Sequence, residues 1–263
     1  MRMNFLGPVA LAVVLFAAMA TGCKKDPKDN TPVTFANRID RPLTLDIYSS
    51  EEDYASNTNR IEQITIPANS SKTLPGSMFT SGRTYYMDWY SDDYYYNNWY
   101  NDDYPVIGPP RVRISPEPGD NTYYLDPGYK GQARNAFLEG AGTESTWISI
   151  GAFLYSATFG YTNESNTLTP NELYRRVTIR KNFNAEYTRK DTTGNMVTEN
   201  ITFMVQQSEV PYIEFKDASG VAAGNMTGGK LPTGTPPDYK SNSADTVMAL
   251  FPDNEYMFMM VRQ

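Results

Sequence analysis

Tyr174-Arg175-Arg176-Val177-Thr178-Ile179-Arg180-Lys181-Asn182-Phe183-Asn184-Ala185-Glu186-Tyr187-Thr188-Arg189 is the stretch that decides the fold. Val177 and Ile179 alternate with polar residues, the signature of a strand with one buried face. Lys181-Asn182 reads as a turn, and Phe183–Arg189 as the returning strand. Gly194-Asn195 then separates Lys190-Asp191 from Met196-Val197, which predicts a further hairpin. Ile201–Val205 and Tyr212–Phe215 continue the meander. Thr246–Phe251 and Glu255–Val261 close the chain around Pro252-Asp253-Asn254, and Thr146–Ser156 precedes the series as a long apolar strand. Gly220–Lys240, rich in Gly, Pro, Thr and Asn, is expected to be a long loop. Consecutive short strands of this kind make an antiparallel barrel or sandwich.

The first half is also strand-rich. Leu43–Tyr48 alternates, Ile61–Ile66 ends at Pro67-Ala68-Asn69, and Thr84–Tyr90 follows the Ser81-Gly82 turn. Arg111–Ile114 and Thr122–Leu125 flank Pro118-Gly119-Asp120. No stretch of the mature chain sustains a helical apolar pattern for three turns. The expected fold class is therefore all-β. A β-sandwich over 33–130 is followed, across a break at 128–143, by a β-meander over 143–263. The first part resembles immunoglobulin-like sandwiches in architecture. The second resembles the lipocalin-like domains of Bacteroidota lipoproteins, with Trp147 near the first strand and hairpins after it. Gly142 lies five residues before that Trp instead of two, so the likeness implies no ligand.

Arg2 is followed by an apolar run from Phe5 to Met19 and then by Ala20-Thr21-Gly22-Cys23. This is the layout of a secretory signal peptide, and its apolar core is shorter than the ~20 residues of a spanning helix. Small residues before a cysteine resemble the lipobox of bacterial lipoproteins. That resemblance implies a leader over 1–22, diacylglycerylation of the Cys23 thiol and acylation (palmitate or a similar chain) of the new amine. More than one chain is needed for stable anchoring. Residues 23–32, with Lys24-Lys25-Asp26-Pro27-Lys28-Asp29-Asn30, read as a flexible tether. A similar charged stretch marks surface-exported Bacteroidota lipoproteins, so the expected location is the cell outer membrane, lipid-anchored and facing outward.

Composition narrows the chemistry. Cys23 is the only cysteine, so the fold is expected to rely on packing and not on disulfides. Histidine is absent, which excludes His-based triads, His-ligated zinc and axial-His haem. Removing the leader takes Arg2 with it and leaves 22 cations against 30 acids, a balance of −8. No basic block offsets it, which argues against nucleic acid as a partner.

The segment Asp88-Trp89-Tyr90-Ser91-Asp92-Asp93-Tyr94-Tyr95-Tyr96-Asn97-Asn98-Trp99-Tyr100-Asn101-Asp102-Asp103-Tyr104-Pro105 stands out. Ring faces stack on sugars while Asp and Asn bond hydroxyls, so Trp89, Tyr90, Tyr94, Tyr95, Tyr96, Trp99 and Tyr100 are the candidate ligand-binding residues. Asp92, Asp93, Asp102 and Asp103, with Asn97, Asn98 and Asn101, are hard oxygen donors that admit calcium, although the spacing is not that of an EF-hand. The bland alternative is a hairpin whose aromatics cover one end of the sandwich. No other cofactor is indicated.

Glu214, with Glu186 and Glu172 on neighbouring expected strands, offers carboxylates for a glycosidase pair, but alternation places Glu214 on a solvent face. Met257-Phe258-Met259-Met260 reads as a buried strand before it reads as a contact surface. Asp191-Thr192-Thr193 and Asp245-Thr246-Val247 resemble Bacteroidota O-glycosylation acceptors. The sequence thus leads to the expectation of a non-catalytic, membrane-anchored envelope lipoprotein that binds an extracytoplasmic ligand, above all a glycan. A structural or assembly subunit of an outer-membrane or fimbrial complex is the alternative, with an envelope protein as partner. A carboxylate-only glycoside hydrolase is the second alternative.

Overall fold

The computed structural model describes residues 32–100, 112–126, 133–158, 160–206, 210–228, 247–253 and 255–263. Cys23, the expected leader and all of the expected tether but residue 32 lie outside them, as do Asn101, Asp102, Asp103 and Tyr104.

The chain is all-β, and its two parts are a sandwich and a closed barrel. In the sandwich, β1 (Val33–Asn37) lies between β4 (Ser71–Leu74) and β7 (Asn121–Leu125); it runs parallel to β7 and antiparallel to β4. The facing sheet has the order β3 (Glu62–Ile66), β2 (Leu43–Tyr48), β5 (Tyr85–Tyr90), β6 (Arg113–Ile114). Alternation explains the core between them. Leu43, Leu45 and Ile47 of β2, with Tyr85, Met87 and Trp89 of β5, meet Val33 and Phe35 of β1 in one buried cluster.

The same alternation turns Asp46, Tyr48, Tyr86 and Asp88 to the opposite face of β2 and β5. A short helix, α1 (Glu51–Ser56), covers part of that face through Tyr54. Its boundaries follow from local chemistry. Ser50 accepts a bond from the Asp53 amide, three acids occupy the first turn, and Asn57 closes the helix in the left-handed region at φ 56.

Eight strands form the barrel: β8 (Glu144–Ser156), β10 (Arg175–Arg180), β11 (Asn184–Lys190), β12 (Met196–Val205), β13 (Tyr212–Lys216), β14 (Ala222–Gly228), β15 (Val247–Phe251) and β16 (Tyr256–Arg262). Strand β8 closes it by pairing antiparallel with both β16 and β10. Beyond its contact with β10, the far end of β8 pairs with a four-residue strand, β9 (Gly160–Asn163). Trp147, Val177, Ile179, Phe203, Phe215 and Phe258 are among the side chains packing the interior. Eight strands leave room for about that much filling. The terminal Met-rich strand is buried from Met257 to Val261, the sheet-strand reading of that segment.

One expectation is corrected here. The first part of the supposed loop Gly220–Lys240 is strand β14, because Met226 reaches the barrel core while small residues pass between its neighbours. The break at 128–143 contains a helix, α2 (Ala133–Leu138), whose Phe137 packs edge-on against Trp147 with ring centroids 6.2 Å apart. Tyr48, Tyr54 and Trp99 belong to the same buried cluster as the barrel interior, so the apolar core is continuous from the outer face of β2 into the barrel.

Candidate functional site

The aromatic segment is where the sequence places the ligand surface, and the structure gives it a different task. Trp89 is 1% exposed inside the sandwich, and Trp99 is 1% exposed at one end of the barrel. Trp99 stacks on Phe183 at 5.8 Å and meets Phe203 edge-on at 5.7 Å, while its indole Nε1 donates to the Lys181 carbonyl at 2.8 Å. Tyr100 is buried too, its hydroxyl donating to the Asp126 carbonyl at 3.0 Å. None of these three rings offers a face to a ligand, which overturns their assignment as a binding platform.

The reason is the pair Asn97 and Asn98. The Asn98 carboxamide accepts from the Trp89 amide at 3.0 Å and donates to the Met87 carbonyl at 2.9 Å. Asn97 accepts from the Trp99 amide at 2.9 Å. These bonds fold the segment back along β5 and drive Trp99 towards the barrel. They also engage the carboxamide oxygens that the calcium reading invoked, and both residues are buried.

The remaining tyrosines are half-buried. Tyr90 and Tyr94 stack at 4.6 Å, and the Arg134 guanidinium lies 5.4 and 5.0 Å from their centroids. Arg41 covers Tyr96 at 4.8 Å, and Tyr96 meets Tyr95 edge-on at 5.3 Å. The rings of Tyr90, Tyr94 and Tyr96 are thus covered in part by the protein's own cations. Asp92 and Asp93 are exposed, and Asp93 is engaged by Ser91, the Tyr95 amide and Arg41. Among the described residues no three His, Cys, Asp or Glu side chains gather as a metal site would require.

Under this segment lies a buried ionic cluster that sequence reasoning missed. Asp88 receives both terminal nitrogens of Arg134, one of them at 2.9 Å, and Lys181 Nζ at 2.7 Å. All three side chains are at most 3% exposed. Burial alone pushes the Asp88 carboxyl up, but the charges of Arg134 and then Lys181 outweigh it and hold it well below the usual range. Burial pushes the Lys181 ammonium down, against the pull of Asp88. Asp88 belongs to the sandwich, Arg134 to α2, and Lys181 to the turn after β10. The cluster therefore ties the three together.

The exposed aromatics lie elsewhere. Tyr155 and Tyr161 face each other across the β8–β9 ladder, 53% and 40% exposed, with ring centroids 5.3 Å apart and planes tilted by 55°. They line a groove of about 250 Å³ with Tyr256, Asn225, Asp253 and Glu255. Its shape is held by backbone bonds. The Tyr155 amide donates to the Glu255 carbonyl at 3.0 Å, and one Asp253 oxygen accepts the Glu255 and Tyr256 amides at 2.8 Å each. Neither acid makes an ion pair among the described residues, so carboxylate oxygens stand beside open ring faces. A signal was present: Tyr155 and Tyr161 lie on either side of the turn at Ala157 and Thr158. Only the pairing register shows that they meet.

The other carboxylates are engaged. Glu214 bonds Lys216 and Gln206 on an outer face, as alternation indicated. Glu186 pairs with Arg180 at 3.1 Å, and Glu172 completes the capping box of a one-turn helix, α3 (Pro170–Leu173). Asp191 organises the β11–β12 turn by accepting from Thr193 and Asn195. Compared with models of protein families, with curated proteins and with solved structures, the chain matches none.

Proposed function

We propose that the chain is a non-catalytic lipoprotein of the cell envelope, held in the outer membrane by lipid on Cys23, which binds an extracytoplasmic glycan at the Tyr155–Tyr161 groove. The observation that carries this reading is the exposed tyrosine pair beside carboxylates that make no ion pair among the described residues. Ring faces accept the apolar faces of a sugar, and Asp253, Glu255 and Asn225 supply acceptors for its hydroxyls. Among the described residues the lining contains no Lys or Arg, so the groove suits neutral or amino sugars over acidic ones. The anchor rests on the leader and on Ala20-Thr21-Gly22-Cys23. The tether after Cys23 would hold the folded body away from the bilayer.

Affinity electrophoresis of the full chain against a polysaccharide panel, beside Tyr155→Ala and Tyr161→Ala, tests the glycan reading. Retardation by a neutral or amino-sugar polymer is expected, weakened about tenfold in either variant, the equivalent of ~1.4 kcal/mol. A panel without retardation, or variants retarded like the parent, would overturn it. Mass spectrometry of the membrane-extracted protein tests the anchor, which fails if the Cys23 thiol is unmodified.

A further inference from the structure

Strands β8 and β10 close the barrel, but their ladder stops at the pair Arg176–Ile148. Beyond that point β8 turns towards β9, with a register shift against β16 at Met259–Met260. The seam opens, and α3 is wedged into it. The Ser149 hydroxyl takes over the broken ladder: it donates to the Leu173 carbonyl at 2.6 Å and accepts the Arg175 amide at 2.8 Å. The opening leaves a cleft of about 540 Å³, within the ~300–1,000 Å³ of small-molecule sites. Ile148, Pro170 and Leu173 give it apolar walls that an unbroken ladder would have covered.

Two arginines stand at this cleft on opposite faces of β10. Arg175 points to the barrel side, its guanidinium 4.3 Å over the Phe258 ring and one terminal nitrogen donating to the Glu172 and Tyr174 carbonyls. Arg176 is exposed, and its side chain has no hydrogen bond or ion pair among the described residues. The nearest acid in sequence, Glu172, is committed to the capping box of α3. An unpaired guanidinium at the rim of an apolar cleft, in a chain whose overall balance is acidic, is complementary to an acid head on an apolar body.

We propose that this seam is a second binding site, separate from the tyrosine groove, for a small amphipathic anion: a carboxylate seated on Arg176 with its hydrocarbon part against Ile148, Pro170 and Leu173.

Octanoate is the probe, titrated into the full chain by calorimetry, with octanol as the uncharged analogue. Saturable octanoate binding is expected. It should weaken about tenfold or more in Arg176→Gln, since a bond to a charged group contributes roughly 1.5–3 kcal/mol. Arg176→Lys should retain part of it, and octanol should bind at least about tenfold more weakly. Arg189→Gln, which removes a cation paired with Glu199 on the neighbouring strands, should leave it unchanged. Far-ultraviolet dichroism of each variant establishes that the barrel is intact. Absence of saturable octanoate binding, equal binding by octanol, or binding untouched by Arg176→Gln would overturn the proposal. None of these outcomes bears on the glycan test, because the two sites share no residue.

Discussion

Asp88→Asn should be among the most damaging single changes of one charge in this chain. The substitution keeps the shape of the side chain and removes the only anion that, among the described residues, is bonded to both Arg134 and Lys181. Two cations then remain next to each other in a site at most 3% exposed. Breaking a buried ion pair by removing one partner costs about 3–5 kcal/mol, against a total stability of roughly 5–15 kcal/mol for a folded domain. Lys181 offers partial relief, because burial already lowers its pKa and a neutral amine restores some balance. A loss of about 3 kcal/mol, the lower end of that range, is therefore expected. With a urea slope of about 3 kcal/mol per molar, the unfolding midpoint falls by about 1 M. Tryptophan fluorescence is the natural probe, because Trp89 reports the sandwich core while Trp99 and Trp147 report the barrel. Adding Lys181→Met should cost less than the sum of the two single changes, with a coupling above about 1 kcal/mol. A midpoint shift below about 0.3 M, less than 1 kcal/mol on the same slope, would refute the idea that these three charges hold sandwich, helix and barrel together.

Trp99→Ala should act on stability and not on ligand recognition: emptying its place between Phe183 and Phe203 costs about 3–5 kcal/mol, read in the same urea titration. Glycan retardation measured on the folded fraction should be unchanged, and a selective loss of retardation in a stable variant would return the site to the aromatic segment. Acid should weaken the fold through Asp88. Its folded pKa lies below the unfolded value of about 3.9, so its contribution is complete above that pH and is lost as pH falls through the folded pKa. The urea midpoint should therefore drop more steeply below pH 4 in the parent than in Asp88→Asn, and equal slopes would assign acid sensitivity to other groups.

Much of the scaffold could be read from side-chain alternation. Leu43–Tyr48 is a strand with the boundaries the pattern indicated, and the hairpin at Gly194-Asn195 joins β11 to β12. Strand β14 was hidden because Ala222-Ala223-Gly224-Asn225 has the composition of a loop; its place is fixed by neighbours on both sides, not by its own preference. The aromatic segment was found but misread. Tyr and Trp beside Asp and Asn describe a sugar platform and a capped, inward-folded clamp equally well. What separates them is the direction of the Asn97 and Asn98 carboxamides, which depends on backbone groups that the sequence does not display. The ionic cluster joins residues 88, 134 and 181, and the tyrosine groove joins β8, β9 and the turn before β16. Both exist only once non-local strand pairing has been made.

The position of β1 carries a mechanical consequence. It is the first strand among the described residues, and it lies in the middle of its sheet, with four register pairs to β4 and five to β7. A pull entering at residue 32 along the strand axis loads both ladders together in shear instead of peeling one bond at a time from an edge. If Cys23 carries the proposed lipid, drag on the folded body would reach this doubly paired strand before any edge strand.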